Sequence, residues 1–262
     1  MNSHAKINLV LDLLGKRPDG YHEVATVYQT VEMHDTIEVE ASDELVLKCN
    51  LPFLVTPKNL CILAANLLRK KYNVKDGATI TLEKKIPVAA GLAGGSSNAA
   101  TVLRLLNRLW GLKLPQEELL KLASELGSDV PFHLIGGTCL GTGRGEQVKP
   151  LKPFPTQHCV IVHPGFGIKT KDAYKLVNAV GKDTTAAFIE NYDLNLLHND
   201  FEKFLFPPFK KLQELKSLLG PHALLSGSGS CVFGLFPTVS EAKEKAEELK
   251  KDYKDVWVTR TL

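Results

Sequence analysis

In residues 86–114, "IPVAAGLAGGSSNAATVLRLLNRLWGLKL", a glycine-rich loop runs straight into a helix. Gly91, Gly94 and Gly95 stand with Ser96 and Ser97 just ahead of leucines, an alanine pair and arginines at helical spacing. Glycine lets the backbone approach a ligand closely. The first N–H groups of a helix lack intrahelical partners and sit at the positive end of its dipole. Together these features make an anion site that needs no lysine, and none stands here where the familiar phosphate loop ends in Gly-Lys-Ser or Gly-Lys-Thr. The stretch therefore predicts a phosphate held by backbone N–H groups, with the Ser96 and Ser97 hydroxyls on the phosphate or facing a magnesium ion. The alternative is a plain turn in which Ser97 is an ordinary helix cap.

The totals are compatible with an enzyme built around such a loop. The chain has 262 residues, enough for one large domain or two modest ones, and 44% of them are hydrophobic. Its 32 basic and 29 acidic residues are mixed along the chain and leave a net charge of +3. That balance argues against nucleic acid as a partner and suits anionic, phosphorylated small molecules. The five cysteines include no C-x-x-C pair, which argues against structural zinc and a disulfide framework. They read as small buried hydrophobes in a reducing compartment. No apolar run approaches the roughly 18 residues of a membrane span. The start "MNSHAKINLVLDLLG" is not a signal peptide, so a cytoplasmic protein without a membrane partner is expected.

Along the chain, "AKINLVLDLLG", "ATVYQTVEMHDTIEVE", "DELVLKCN" and "GATITLEKKIPVAAG" carry the β-branched content and alternation of strands. "TPKNLCILAANLLRKKYN" has apolar residues at helical spacing, and the loop leads into a helix near 96–110. "LPQEELLKLASELGSDVPF" reads as a helix with Pro115 in its first turn and Gly127 near its end. "HCVIVHPG" is a buried strand, "KTKDAYKLVNAV" and "TTAAFIENYDLNLL" are helices, and "HALLSGSGSCVFGLF" is strand, turn, strand. An exposed helix, "VSEAKEKAEELKKDY", and a closing strand, "DVWVTRTL", end the chain. Strands and helices interleave without a strict βαβ repeat, which predicts an α+β fold rather than a doubly wound sheet. Prolines at 150, 153, 155 and 164 suggest a boundary there, dividing the chain into 1–155 and 156–262.

Three further stretches offer chemistry. In "HAKINLVLDL", Lys6 and Asn8 are two apart on an apolar strand and so share a face. A lysine there needs a partner, unless it only guards a sheet edge. In "LGSDVPFHL", Asp129 has apolar neighbours; the alternative is a helix cap. In "LLSGSGSCVFGLF", small residues alternate with glycine, either as a tight hairpin turn or as a second backbone surface close to a ligand.

"AKINL", "PVAAGLAGGSS", "GSDVPF" and "SGSGSCVFG" occur together and in this order. That series resembles the GHMP kinases over nearly the whole chain. With "RPDGYHEV", the resemblance narrows to the branch that phosphorylates a hydroxyl of a cytidine diphosphate-linked sugar alcohol in isoprenoid precursor synthesis. The resemblance implies a two-lobed α+β fold, with a ribosomal protein S5 domain 2-like N-terminal lobe and a ferredoxin-like C-terminal lobe. It implies ATP as phosphate donor, with Mg2+, along Pro87, Val88, Ala89, Ala90, Gly91, Leu92, Ala93, Gly94, Gly95, Ser96 and Ser97. Asn59 and Lys84 match positions near the adenine, and Lys6 and Asp129 match the catalytic pair. Tyr21, His22 and a later aromatic match the cytidine pocket. Tyr174 is expected as that aromatic rather than Phe166, and Asn8 and Thr170 are expected against the rest of the substrate. A monomer or weak homodimer is expected, and the magnesium ligands are not assigned.

Two departures carry expectations of their own. The most glycine-rich versions of the loop have glycine at 89, 90 and 93. Alanine disfavours positive φ, so Ala89, Ala90 and Ala93 are expected to have ordinary backbone angles. His4 stands where family members often have proline, after only three residues, so either a short first strand or an altered start is expected. Another GHMP kinase, of the homoserine or mevalonate type, is the first alternative, and "PDGYHE" argues against it. A nucleotide-binding regulator without transfer activity is the second, and the intact Lys6 and Asp129 argue against that.

Overall fold

The computed structural model describes residues 1–178 and 181–262. Strands β1 (Asn2–Lys16), β2 (His22–Ser42) and β3 (Leu45–Cys49) precede helix α1 (Leu60–Tyr72), β4 (Gly77–Glu83), α2 (Gly94–Leu109), α3 (Gln116–Leu126) and α4 (Val130–Ile135). Next come β5 (Thr138–Thr142), β6 (Gln147–Pro150), β7 (His158–His163), α5 (Thr170–Lys175), α6 (Thr185–Asn191) and β8 (His198–Asn199). The chain closes with α7 (Phe201–Leu205), α8 (Lys210–Leu219), β9 (Ala223–Leu225), β10 (Val232–Phe236), α9 (Val239–Leu249) and β11 (Asp255–Arg260).

These elements form two compact units whose segments alternate along the chain. The first holds Met1–Ala5, Met33–Ile86 and Ala93–Gly136; the second holds Lys6–Glu32, Pro87–Leu92 and Gly137–Leu262. In the first, β4 pairs parallel with β3 and antiparallel with the far half of β2, from Thr36 opposite Glu83 to Ser42 opposite Gly77. The apolar stripe of α2, with Val102, Leu103 and Leu106, joins Leu68 of α1, Leu122 of α3 and strand residues Ile37, Ile80 and Leu82 in one core. Burying each such side chain contributes about 1.5–3 kcal/mol. Asn59 starts α1 by accepting from the Cys61 N–H at 2.9 Å, and Arg69, Lys70 and Lys71 favour its C-terminal dipole end.

In the second unit, β5 pairs with the near half of β2 and turns back as β6, while β8 joins β1 in parallel at Val10 and Leu11. An antiparallel sheet in the order β11-β7-β10-β9 lies on a core that includes Leu212, Leu215 and Leu219 of α8 and Ala242, Ala246 and Leu249 of α9.

The α+β reading holds, with several differences of detail. Strand β1 is not short: it runs for 15 residues from Asn2. Helix α2 begins at Gly94, two residues before the predicted start. The helix opened by Pro115 ends at Leu126 with Gly127 as its C-cap, as expected, and a separate short helix, α4, follows from Val130. Helix α5 ends at Lys175, and the last two residues of the predicted helix, Ala179 and Val180, lie outside the described residues.

Candidate active site

Strand β1 delivers Lys6 and Asn8 to one face of the second unit, where they are 3% and 1% exposed. The Lys6 Nζ donates to Asn8 Oδ1 at 2.6 Å and stands 5.6 Å from the centre of the Tyr28 ring. Asn8 Nδ2 in turn donates to Thr26 Oγ1 at 2.7 Å, and that hydroxyl donates to the Val10 carbonyl at 2.6 Å. The ammonium is thus held on a chain of hydrogen bonds, the arrangement that offsets the cost of burying a charge.

The turn between β9 and β10 closes on the same place. Ser226 Oγ donates to the Gly91 carbonyl at 3.0 Å, and Asn199 Nδ2 donates to the Leu225 and Gly227 carbonyls at 2.7 and 2.8 Å. A Cβ at Gly227 would fall 3.0 Å from both the Gly91 carbonyl and Lys6 Nζ. A Cβ at Gly91 would overlap the Ser226 carbonyl, so both glycines are needed for close backbone approach. The "SGSGS" turn is therefore a backbone surface lying against Gly91 and Lys6.

The expectation of ordinary angles at the loop alanines is wrong at two of three positions. Ala89 has φ 55° and Ala93 has φ 52°, both left-handed; Ala90 is not among the positive-φ residues. Each costs about 1–2 kcal/mol, and such outliers persist where surrounding bonds over-determine them. Ile168 N–H donates to the Ala89 carbonyl and Cys231 N–H to that of Ala90, at 3.2 and 3.1 Å. The Ala93 carbonyl accepts the first α2 bond from Ser97 N–H at 2.9 Å.

In the first unit, Ala93 occupies the N-cap position of α2 without a side-chain cap, so Ser97 is not the cap. Ser97 Oγ instead accepts from Ser3 Oγ at 2.8 Å and is buried, whereas Ser96 is half-buried and Gly95 exposed. Beneath this helix start lies Asp35, wholly buried. Its carboxylate accepts from Lys84 Nζ at 2.5 Å, Asn98 Nδ2 at 2.8 Å, and the N–H groups of Lys85 and Ile86 at 2.7 and 2.8 Å. Burial lowers the Lys84 pKa, and Asp35 opposes that shift. A Cβ at Gly94 would fall 2.6 Å from Lys84 Nζ, so the helix start rests directly on this pair. Asn59 is committed to capping α1 and donates to the Leu54 carbonyl at 2.9 Å. Asp129 stands at the N-cap position of α4, but its side chain caps nothing.

The "PDGY" stretch is a tight turn. Arg17 N–H donates to the Tyr21 carbonyl at 2.7 Å, and Tyr21 N–H donates to Asp19 Oδ1 at 3.1 Å. Tyr21 is 55% exposed. His22 stacks on Tyr174 with ring centres 5.0 Å apart, and Phe201 meets Tyr174 edge-on at 4.9 Å. Burial, with a smaller contribution from Lys16, lowers the His22 pKa below its ordinary 6.5. Thr170 Oγ1 accepts from Ser228 Oγ at 3.0 Å. Phe166 stacks on Phe209 in the core of this unit, and its carbonyl accepts from Ser230.

Three features have no counterpart in the sequence reading: the Asp35 hub, Arg144, whose guanidinium lies 4.8 Å from the Tyr21 ring centre, and a cluster of Asp12, His198 and Asp200. Asp12 accepts from the backbone and hydroxyls of Thr184 and Thr185, and so fixes the start of α6. Burial pushes the Asp200 carboxyl up, but hydrogen bonds from His198, Lys203 and the Leu13 N–H outweigh it and bring it to about 2. Both carboxylates serve as structural acceptors.

Models described as the GHMP kinases N terminal domain and the GHMP kinases C terminal match residues 59–137 and 187–255. A mevalonate kinase from Methanococcus jannaschii shares the fold, with a TM-score of 0.72 at 17% identity over 100% of this chain and 98% of that one. The architecture is thus that of the GHMP kinases. A solved 4-(cytidine 5'-diphospho)-2C-methyl-D-erythritol kinase is more similar, with a TM-score of 0.86 at 32% identity over 100% of this chain and 98% of its own. A 4-diphosphocytidyl-2-C-methyl-D-erythritol kinase from Clostridium botulinum (strain Eklund 17B / Type B) is 38% identical over 278 residues, covering 100% of this chain and 99% of that protein. The chain belongs to the family of these 4-diphosphocytidyl-2-C-methyl-D-erythritol kinases, within the GHMP kinases.

Proposed function

We propose that this chain transfers the γ-phosphoryl group of ATP, taken up as its magnesium complex, to the 2-hydroxyl of 4-diphosphocytidyl-2-C-methyl-D-erythritol. The observation that carries the chemistry is the buried Lys6–Asn8 pair set beside the backbone of Gly91 and Gly227. Phosphoryl transfer passes through a loose transition state, so positioning and charge stabilisation dominate. Residues 87–97 hold the triphosphate through N–H groups and the positive end of α2. Lys6 orients the acceptor hydroxyl and stabilises developing charge, Asp129 takes its proton, and Asn8 and Thr170 contact the acceptor. Tyr21 and Tyr174 present ring faces to the cytosine, and His22 reads its edge. Asn59 and Lys84 support the adenine side indirectly, one by capping α1 and the other by seating the start of α2 on Asp35. Residues 1–155 and 156–262, which contain the N-terminal and C-terminal family matches, are taken as the two lobes of a cytoplasmic monomer or weak homodimer. That division along the sequence is distinct from the two compact units. Among the described residues, no helix is long and apolar enough to cross a membrane.

The test is turnover of this substrate by the wild type and by Asp129→Asn, with homoserine and mevalonate as competing acceptors. General-base steps contribute about 10²–10⁴-fold. Asp129→Asn is expected to lose kcat in that range with the acceptor KM largely kept. Near-normal turnover in a folded Asp129→Asn enzyme would remove the base, and preference for another alcohol would remove the substrate.

A further inference from the structure

We propose that Arg144 is a positioning residue for the nucleobase. Its guanidinium lies on one face of the Tyr21 ring and fixes that ring so that the opposite face receives the cytosine. The inference rests on the reading of Tyr21 as a base-stacking residue.

Tyr21 is held from two directions although it is more than half exposed. Its backbone is fixed by the turn bonds to Arg17 and Asp19. Its ring is met by Arg144, 4.8 Å from guanidinium carbon to ring centre. Arg144 sits in the turn between β5 and β6, and that turn is itself tightly built. Gly145 N–H donates to the Thr142 carbonyl at 3.0 Å, and Arg144 N–H donates to Glu146 Oε2 at 2.7 Å. The Gly143 carbonyl accepts from Val24 N–H at 2.8 Å, which ties the turn to β2 two residues beyond His22. Glu146 also pairs with the guanidinium, Oε1 to Nε at 3.5 Å. The neighbouring Arg17 is placed differently: its guanidinium is engaged by both Asp19 and Glu23. Arg144 is the arginine that takes the ring.

An exposed ring loses conformational freedom when it is fixed, and its own contacts return little for that loss. A ligand that stacks on it gains, because the ordering cost is already met before binding. A guanidinium on one face and a base on the other use the two faces of one ring without competition. Cation–ring contacts at exposed sites correspond to about two- to fivefold in an equilibrium constant.

The experiment measures KM and kcat for 4-diphosphocytidyl-2-C-methyl-D-erythritol, and KM for ATP, in Tyr21→Ala, Arg144→Gln, Arg144→Lys and the double variant Tyr21→Ala/Arg144→Gln. Arg144→Gln is expected to raise the acceptor KM about two- to fivefold, with a smaller change in kcat and in the ATP KM. Arg144→Lys should recover part of the loss. In the Tyr21→Ala background, Arg144→Gln should add nothing. An equal loss in both backgrounds would overturn the inference, because Arg144 would then touch the substrate's phosphates directly. So would an unchanged KM in Arg144→Gln when Tyr21→Ala is impaired. If Tyr21→Ala itself binds normally, the base-stacking reading falls and takes this inference with it.

Discussion

Gly95→Asp separates the phosphate loop from a merely structural one, because it pushes stability and ATP binding in opposite directions. Gly95 is the second residue of α2 and exposed, and a Cβ there would meet only Leu60 Cδ1, at 3.4 Å. Gly94 is the wrong place for this test: its Cβ would fall 2.6 Å from Lys84 Nζ and 2.9 Å from Ile86 Cγ2, so any side chain there disturbs the core. An acidic group in the first turn of a helix gains about 0.3–1 kcal/mol from the dipole. Replacing glycine within a helix adds a few tenths of a kcal/mol more. The fold should therefore be unharmed, and Tm should rise by about 2–4 °C per kcal/mol gained. A triphosphate on the same N–H groups would meet the new carboxylate at roughly 6 Å. With effective dielectric constants of about 80 down to 20, one unit charge at that distance costs about 0.7–3 kcal/mol. The ATP KM should then increase by about three- to a hundredfold. Gly95→Ala supplies the control, with a similar gain in Tm and an ATP KM near wild type. Steady-state kinetics at fixed acceptor and a thermal melt decide the matter. A Gly95→Asp enzyme that melts higher and binds ATP like wild type would refute phosphate binding at this helix start.

Asp200 has its pKa depressed from 3.8 to about 2 in the folded chain, so its stabilisation is present above pH 3.8 and is lost as pH falls through about 2. Asp200→Asn should cost about 2 kcal/mol at neutral pH in chemical denaturation, and the difference from wild type should shrink towards pH 2. His22, with its pKa lowered below 6.5, is neutral at pH 7, so the acceptor KM should be flat from neutral to alkaline pH and change only as pH falls through a value below 6.5. Tyr174→Ala should raise the acceptor KM about ten- to a hundredfold and leave the ATP KM nearly unchanged; if only Phe166→Ala does so, Tyr174 is not the second aromatic.

The parts of the site that were legible in the sequence are those written in short-range spacing. Glycines placed directly before an apolar helical repeat announced the start of α2. A lysine and an asparagine two apart on an apolar strand announced the shared face of β1. The Asp35 hub was not legible, because its partners Lys84 and Asn98 are 49 and 63 residues away. Nothing around Asp35 in "EMHDTIE" separates a buried acceptor from a surface acid. Arg144 was hidden for the same reason, since the turn that aims it at Tyr21 is fixed through β2. Ala89 was misread because local preference is a weak guide where a carbonyl is claimed from elsewhere, here by Ile168, and Ala93 because its carbonyl accepts the first bond of α2 from Ser97. Strand β8 spans two residues, too few to show any alternation.

The way β2 is completed bears on how the chain is made. Its middle is finished by residues from the far end of the sequence: Val31 bridges to Thr261, and the Thr30 carbonyl accepts from Leu262 N–H. The middle of β2 thus waits for partners about 230 residues further along the chain. Until Thr261 and Leu262 emerge, part of β2 offers unpaired backbone to any other strand nearby, the condition under which nascent chains pair wrongly. Such long-range closure also slows folding, since the loop entropy is spent before the contacts form. Yield during synthesis should therefore depend more on chaperone supply and translation speed than on the stability of the finished enzyme.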